Sequence, residues 1–179
     1  MCLRSYCCVR LARKGTTING FFKRRVVMNG RPSFEYIYMG LAYQLARRST
    51  CSRARVGTVM TSIDFRKVLA VGYNGNATGL PNQCDRAEQG NCGCLHSEEN
   101  AVINCDAPRA LPKFIFVTML PCVMCAKRLI NLGGVVKVFY QNEYRLGDST
   151  ELFKNALIQV ERVQCFAKPE TGHGLLKSI

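Results

Sequence analysis

The chain has 179 residues, of which 47% are hydrophobic and 21% charged, as is usual for a globular domain. No apolar run approaches the roughly 18 residues of a membrane span, and no segment has the pattern of a signal peptide. The eleven cysteines are odd in number, and several have metal-ligand spacing, which favours reduced thiols over a secreted disulfide scaffold. Composition therefore excludes a membrane protein and predicts a cytoplasmic one.

The formal net charge of +13 is concentrated at the N-terminus. Residues 1–32 hold eight basic and no acidic residues, so the rest of the chain carries a net charge of only +5. Such an arm could contact nucleic acid or anionic lipid, or be an inert leader, with Met28 or Met39 starting a shorter product. We predict a poorly ordered, cysteine-containing basic arm over 1–31, a domain over 32–164 and a tail over 165–179.

The first predicted elements are a helix and a hairpin. Ser33 suits a helix N-cap, and Val56–Thr61 and Lys67–Tyr73 are typical of two strands joined by a turn. Gly72–Cys94 is rich in Gly, Asn, Gln and Pro, which predicts a loop. The apolar residues of the predicted first helix recur at helical spacing; they are Phe34, Ile37, Tyr38, Leu41, Ala42 and Leu45.

Helices and strands alternate in the second half of the chain. With the hairpin, this order predicts an α/β fold of three layers, α/β/α, around a five-stranded mixed sheet. Its later strands should run parallel where they are adjacent. In chain order the predicted elements are a helix from His96 through Ile103, a strand Lys113–Met119, a helix Cys122–Leu132 that stops at Gly133-Gly134, a strand Val135–Tyr140, a helix Thr150–Ala156 and a strand Leu157–Val163.

One pair of motifs carries recognisable chemistry. His96-Ser97-Glu98 is followed 26 positions later by Cys122-Val123-Met124-Cys125, with Pro121 in front. A structural zinc site usually closes all four positions with Cys and His, whereas a catalytic site leaves one for water. One His, two Cys and a separate Glu are therefore the composition of a hydrolytic zinc site, and the pattern is the signature of zinc-dependent nucleobase deaminases.

Helix positions explain the spacing of the two cysteines. Cys122 and Cys125 share one face if they open a helix that begins near Pro121. The positive end of the helix dipole would lower the thiol pKa and favour the thiolates that bind zinc. The competing interpretations, a redox pair or half of a structural zinc site, leave Glu98 and Pro121 unexplained.

With further motifs, residues 33–163 resemble the deoxycytidylate (dCMP) deaminase family, which has the cytidine-deaminase-like fold. The resemblance separates the chain from tRNA adenosine deaminases, which share the zinc motifs but lack Gly72–Gly75. Ser97 stands where the family usually has Ala, and Ala77 where it often has Pro. The motifs are Arg48–Arg53 with Val56-Gly57, Gly72–Gly75 with Gly79, Cys94–Glu98 with Asn100-Ala101, and Pro121–Lys127.

The resemblance implies a function and roles for single residues. It implies hydrolysis of dCMP to dUMP, with dCTP as a further substrate, in the supply of pyrimidine deoxynucleotides for thymidylate synthesis. The catalytic Zn²⁺ would be held by His96, Cys122 and Cys125, and Glu98 would carry protons between water, ring N3 and the leaving ammonia. Asn74 would hold the sugar. The backbone N–H of Ser97 would contact the base, and the phosphate would meet Arg48, Arg53 or Arg128.

Further expectations concern metals and partners. Some relatives carry a structural zinc on cysteines that match Cys51 and Cys84, and Cys92 and Cys94 could complete an all-cysteine site here; otherwise these four are small buried side chains. Mg²⁺ would accompany a nucleotide effector, although the family's regulatory residues cannot be mapped onto this chain. The resemblance favours a homo-oligomer, a hexamer, with no membrane partner, and nucleic acid is not expected.

Two other function classes stay open. A polynucleotide deaminase acting on cytosine or adenine in single-stranded DNA or tRNA could use the basic arm, although Gly72–Gly75 argues against it. A non-catalytic zinc-binding module could use the same arm, but then the intact Glu98 would have no role.

Overall fold

A computed structural model describes residues 27–28, 31–86, 92–144 and 149–164. The predicted tail and most of the predicted basic arm lie outside these residues, so the predictions made for them stay untested. Across the described ranges, no helix combines the length and the apolar character that crossing a bilayer requires.

Seven strands and four helices make up the described part of the chain. The two shortest strands, β1 (Val27–Met28) and β2 (Arg31–Pro32), pair only with each other. The remaining elements in chain order are α1 (Phe34–Ala46), β3 (Gly57–Ser62), β4 (Val68–Tyr73), α2 (Ser97–Ile103), β5 (Lys113–Met119), α3 (Val123–Leu132), β6 (Val135–Asn142), α4 (Ser149–Asn155) and β7 (Gln159–Arg162).

Five strands form one mixed sheet in the order β4-β3-β5-β6-β7. β3 pairs antiparallel with β4 and with β5, whereas β5–β6 and β6–β7 are parallel. A short hairpin can join only antiparallel strands, while the parallel pairs need the helical crossovers α3 and α4. The predicted five-stranded mixed sheet and three-layer fold are confirmed.

Strand register divides the core between the two faces of the sheet. Val59 is paired with Phe116, and Phe116 with Phe139, so these three side chains share one face and pack against Met39 and Ala42 of α1. The rings of Phe116 and Phe139 stack with centroids 4.7 Å apart. The register Met60–Ile115–Val138 lies on the opposite face, which is covered by residues of α2, α3 and α4: Ala101, Ala126, Leu129 and Phe153.

Two glycines allow a helix to approach each face closely. A Cβ on Gly57 would lie 1.9 Å from the carbonyl oxygen of Ala42 in α1. A Cβ on Gly72 would lie 2.1 Å from the carbonyl oxygen of Ser97 in α2. Both contacts are too short for any side chain, so glycine at these positions sets how deeply α1 and α2 seat on the sheet.

Some predicted boundaries are wrong by one or two residues. β6 continues to Asn142 rather than ending at Tyr140. The predicted last strand starts too early, because Leu157 has φ 59°, which no strand accommodates. The short β1–β2 ladder was missed, since strands of two residues carry no periodic pattern.

Candidate functional site

Three predicted zinc ligands come together. His96 Nδ1 lies 3.6 Å from Cys122 Sγ and 3.3 Å from Cys125 Sγ, and all three ligand atoms are within 4.8 Å of one another. Tetrahedral zinc with ordinary Zn–S and Zn–N bonds sets such atoms about 3.5 Å apart. The donor set and its spacing therefore fit a zinc ion with one position left for another ligand.

The starts of two packed helices bring these ligands together. His96 is the N-cap of α2 and Cys122 the N-cap of α3, rather than the first helical residues that the sequence predicted. The Cys122 sulfur accepts the backbone N–H of Cys125 at 3.5 Å, as a capping side chain does. A thiolate at this point also benefits from the positive end of the α3 dipole.

The two thiols of the cluster differ in acidity. Hydrogen bonds from the Cys125 thiol and from His96 lower the pKa of Cys122 to about 3, despite partial burial. The hydrogen bond to Cys122, together with burial, raises the pKa of Cys125. Cys122 and Cys125 therefore share one proton. The hydrogen bond between His96 and Cys122 raises the pKa of the His96 imidazole. Binding a cation here would release the shared proton, because thiolates are the ligand form.

Glu98 lies beside the ligand cluster without belonging to it. Its side chain is buried, which raises the pKa of the carboxyl group. The Ser97 hydroxyl donates a hydrogen bond to Glu98 Oε2 at 2.8 Å and opposes that rise. A carboxyl group with a raised pKa can both accept and return a proton near neutral pH.

A cavity of about 490 Å³ contains this site. It opens beyond the carboxyl ends of the parallel strands β5 and β6, where α/β sheets usually bind ligands. Met119 and Leu120 line it at the end of β5, and Glu143 and Tyr144 at the end of β6. The other lining residues are Cys51, Arg53, Ala54, Val56, Asn74, Cys92, Cys94, His96, Ser97, Glu98 and Cys122.

Asn74 lines the cavity and braces the segment beside it. Its Oδ1 accepts the backbone N–H of Val56 at 2.8 Å, and its Nδ2 donates to the carbonyl oxygen of Ala54 at 2.7 Å. An amide nitrogen carries two hydrogens, and within the described residues the second N–H of Asn74 is left for a ligand. Asn74 thus fixes the loop that carries Arg53.

The glycine-rich turn Gly72–Gly75 uses two of its backbone N–H groups within the protein. The backbone N–H of Asn74 donates to the carbonyl oxygen of Val56, and that of Gly75 to Leu95. Asn74 and Gly75 therefore do not offer their backbone N–H groups to a ligand. Gly72 is required for the close seating of α2 rather than for binding.

The structure distinguishes between the three predicted phosphate-binding arginines. Arg53 lines the cavity. The Arg48 guanidinium lies 5.9 Å from the centroid of the Tyr73 ring, and Arg128 forms a 3.1 Å ion pair with Glu99. Neither Arg48 nor Arg128 lines the cavity, so Arg53 is best placed to meet a ligand there.

The four other predicted metal-ligating cysteines also converge. Cys51 Sγ lies 3.7 Å from Cys92 Sγ and 3.8 Å from Cys84 Sγ, and Cys94 lies 3.7 Å from Cys84. Tetrahedral zinc in four thiolates sets the sulfurs about 3.8 Å apart. A hydrogen bond from Ser52 lowers the pKa of Cys84 to about 6, whereas burial raises that of Cys94.

Three residues around the site escaped the sequence interpretation. Glu143 and Tyr144 were missed because the predicted strand ended at Tyr140, two residues before the end of β6. Their position just after the carboxyl end of a parallel strand is the signal that could have indicated them. Thr58, buried in β3, hydrogen-bonds Ser97 across 39 positions of sequence, and no local pattern indicates such a contact.

Residues 33–142 match the sequence model of the cytidine and deoxycytidylate deaminase zinc-binding region. This match covers more than half of the chain. The chain belongs to this deaminase family. The resemblance predicted from the motifs is thereby confirmed.

Curated relatives of the family differ in length. The chain is 32% identical over 151 residues to deoxycytidylate deaminase of Saccharomyces cerevisiae, which aligns 78% of the chain with 47% of that protein. It is 31% identical over 128 residues to deoxycytidylate deaminase of Mycobacterium phage D29, covering 63% of the chain and 98% of the phage protein. The chain thus spans about half of the yeast relative.

A solved relative has the same fold. The crystal structure of dCMP deaminase from the cyanophage S-TIM5 in complex with dCMP and dUMP is 30% identical, with a TM-score of 0.67. It covers 74% of this chain, and the match includes 98% of the phage chain.

Proposed function

We propose that the chain is a zinc-dependent deaminase that hydrolyses dCMP to dUMP and ammonia. The observation that carries this proposal is the buried Glu98 carboxyl group beside the His96–Cys122–Cys125 cluster. Glu98, His96 and Cys122 line one cavity. Family membership and the phage structure named for dCMP and dUMP support the substrate class. An intact carboxylate beside an open ligand set also supports catalysis over a purely structural metal site.

Three side chains would hold the metal and one would move protons. His96, Cys122 and Cys125 would hold a zinc ion, which would supply a nucleophile near neutral pH by lowering the pKa of a water molecule. Glu98 would take one proton from the attacking water and deliver it to ring N3 while the water oxygen bonds to C4 of cytosine. Glu98 then transfers the second proton to the amino group, the C4–N4 bond breaks, and ammonia leaves.

The remaining cavity residues would bind the nucleotide. Arg53 supplies a cation at the cavity wall for the phosphate, and the free N–H of Asn74 supplies a donor for the sugar. The backbone N–H of Ser97, at the first position of α2, would contact the base. Use of dCTP as a further substrate requires space beyond Arg53 for two more phosphate groups. Arg53 is exposed to solvent, which leaves such space.

A substrate panel tests this function. The purified, zinc-loaded chain is incubated separately with dCMP, dCTP, deoxycytidine and a cytosine-containing single-stranded oligonucleotide, and each product is quantified by chromatography. We expect dCMP to give the highest kcat/KM. Faster deamination of the oligonucleotide would contradict the proposal and favour a polynucleotide deaminase. If no substrate is deaminated, the remaining interpretation is a non-catalytic zinc-binding module.

We further propose a structural zinc ion bound by Cys51, Cys84, Cys92 and Cys94. Sulfur spacings that match a tetrahedral all-cysteine site support it. Cys51, Cys92 and Cys94 also line the catalytic cavity, so an ion here would stiffen its wall. The Mg²⁺ prediction has no such support, because the described residues hold no metal-ligand group other than these two cysteine-containing clusters.

Elemental analysis tests the second ion. The wild-type chain should contain two zinc ions, Cys51→Ser one, and Cys105→Ser two, since Cys105 lies in neither cluster. One zinc ion in the wild type that persists in Cys51→Ser would remove the structural site and leave the catalytic one. The homo-hexamer stays a prediction, for which light scattering of the same samples is the measurement.

A further inference from the structure

The Ser97 hydroxyl links the Glu98 carboxylate to a strand of the sheet. Its Oγ lies 2.8 Å from Glu98 Oε2 and 2.8 Å from Thr58 Oγ1. Ser97 and Thr58 are both 0% exposed, so bulk water does not compete for these hydrogen bonds. A hydroxyl group donates only one hydrogen. Because Ser97 donates to the carboxylate, Thr58 must donate to Ser97.

This chain of hydroxyls treats the two carboxylate oxygens differently. Oε2 receives the Ser97 hydrogen, which leaves Oε1 as the oxygen that Ser97 does not hold. The terminal torsion of a glutamate side chain has a broad, two-fold preference, so an unanchored carboxylate samples many orientations. A donor fixed on Oε2 removes that freedom.

Ser97 can act as such an anchor because its own position is fixed from two strands. Thr58 in β3 holds its side chain, and the absence of a side chain at Gly72 in β4 lets its carbonyl oxygen seat against the sheet. The orientation of Glu98 is therefore fixed by two strands of the sheet, β3 and β4, rather than by a loop.

We propose, on the basis of the function proposed above, that Ser97 and Thr58 are positioning residues that orient Glu98 for proton transfer. They hold Oε2 so that Oε1 accepts the proton of the attacking water and returns it to the substrate. Neither hydroxyl touches the reacting atoms. Their contribution should therefore be seen in kcat rather than in KM.

Steady-state kinetics on dCMP with matched variants test this inference. Ser97→Ala should lower kcat about tenfold with KM within about twofold, because a slightly misplaced catalytic group is costly. Thr58→Val should lower kcat by a smaller factor, and Thr58→Ser, which keeps the hydroxyl, should restore it. The double variant Ser97→Ala/Thr58→Val should be no slower than Ser97→Ala, since both changes break one chain of contacts.

Thr61→Val is the control within the same strand. Thr61 is fully buried, but its hydroxyl has no hydrogen-bond partner among the described residues. The same substitution there should leave kcat and KM unchanged. Zinc content should be equal in all variants.

Three results would overturn the inference: an unchanged kcat in Ser97→Ala, additive effects in the double variant, or a rise in KM alone. High-resolution crystal structures of the wild type and Ser97→Ala give an independent measurement. We expect the Glu98 carboxylate to have one orientation in the wild type. In Ser97→Ala it should be rotated or occupy more than one conformation. An inactive wild type would refute the proposed function; the crystal structures would then decide this inference, and an unmoved Glu98 would refute it.

Discussion

At the scale of single residues, the proposed mechanism divides metal ligation and proton transfer between neighbouring side chains. His96 is the N-cap residue of α2 and faces two cysteines. Glu98, two positions later, is buried and accepts a hydrogen bond from Ser97, which Thr58 contacts in turn. Burial raises the pKa of the Glu98 carboxyl group above its ordinary value. The carboxyl group can therefore hold a proton during the reaction rather than release it to solvent.

Arg53 should determine the preference for a phosphorylated substrate. Arg53→Ala should lower kcat/KM for dCMP about tenfold, because a partly exposed charge-assisted contact is worth roughly 1.4 kcal/mol. The value for deoxycytidine, which lacks the phosphate, should not change. Steady-state assays with both substrates measure this.

Arg48→Ala is the control, since its guanidinium lies over Tyr73 rather than in the cavity. An equal loss of activity with both substrates in Arg53→Ala would show that this residue shapes the cavity instead of binding phosphate.

The sequence predicts those residues whose chemistry depends on local spacing. His96, Glu98, Cys122 and Cys125 fall within two short motifs, so their proximity follows once each motif starts a helix. The brace made by Asn74 could not be predicted in this way. It depends on hydrogen bonds to the backbone 18 and 20 positions away, and these exist only after the sheet has formed.

At the scale of elements, two glycines seat a helix on either face of the sheet. Helix α1 packs against Gly57 and carries no residue that lines the cavity. Helix α2 packs against Gly72, and its start carries His96 and Glu98. The same steric contact therefore has a purely structural role on one face and supports the site on the other.

Gly72→Ala should lower both stability and activity. Its new Cβ would force α2 away from β4, at a cost of about 1–3 kcal/mol in the free energy of unfolding, and would move His96 and Glu98 with the helix. Gly57→Ala should cost a similar amount of stability and keep its activity per folded molecule. Urea unfolding and kcat/KM on dCMP measure the two effects. Equal activity losses in the two variants would contradict this division.

Element order was more predictable than element ends. The alternation of helices and strands specified the mixed sheet, because apolar periodicity extends over many residues. The ends depend on single positions, such as the capping sulfur of Cys122 or the positive φ of Leu157. A propensity averaged over a window does not detect such a position.

At the scale of the whole molecule, both cysteine-containing clusters lie on one cavity. Cys51 follows α1, whereas Cys92 and Cys94 precede α2. One metal site would therefore join the segment before the β3–β4 hairpin to the segment after it. The His96–Cys122–Cys125 cluster joins α2 to α3. Metal binding at both sites would thus fix the cavity wall from two sides.

Removal of the basic arm should leave the proposed activity in place. The β1–β2 ladder does not pair with the five-stranded sheet, and the cavity is lined by residues from Cys51 onward. A chain starting at Arg31 should therefore deaminate dCMP with kcat/KM within about twofold of the full chain. Loss of activity on truncation would mean that residues before Arg31 complete the site or an oligomer.

We propose that Glu98 carries protons in a zinc-dependent hydrolysis of dCMP. Formation of dUMP, measured together with zinc content in the wild type and Glu98→Ala, tests it most directly. The wild type should convert dCMP to dUMP, and Glu98→Ala should keep its zinc and lose about 10²–10⁴-fold in kcat. Glu99→Ala, which changes the next residue of the same helix and removes an ion pair with Arg128, should keep activity. Near-normal turnover in zinc-loaded Glu98→Ala would contradict the claim.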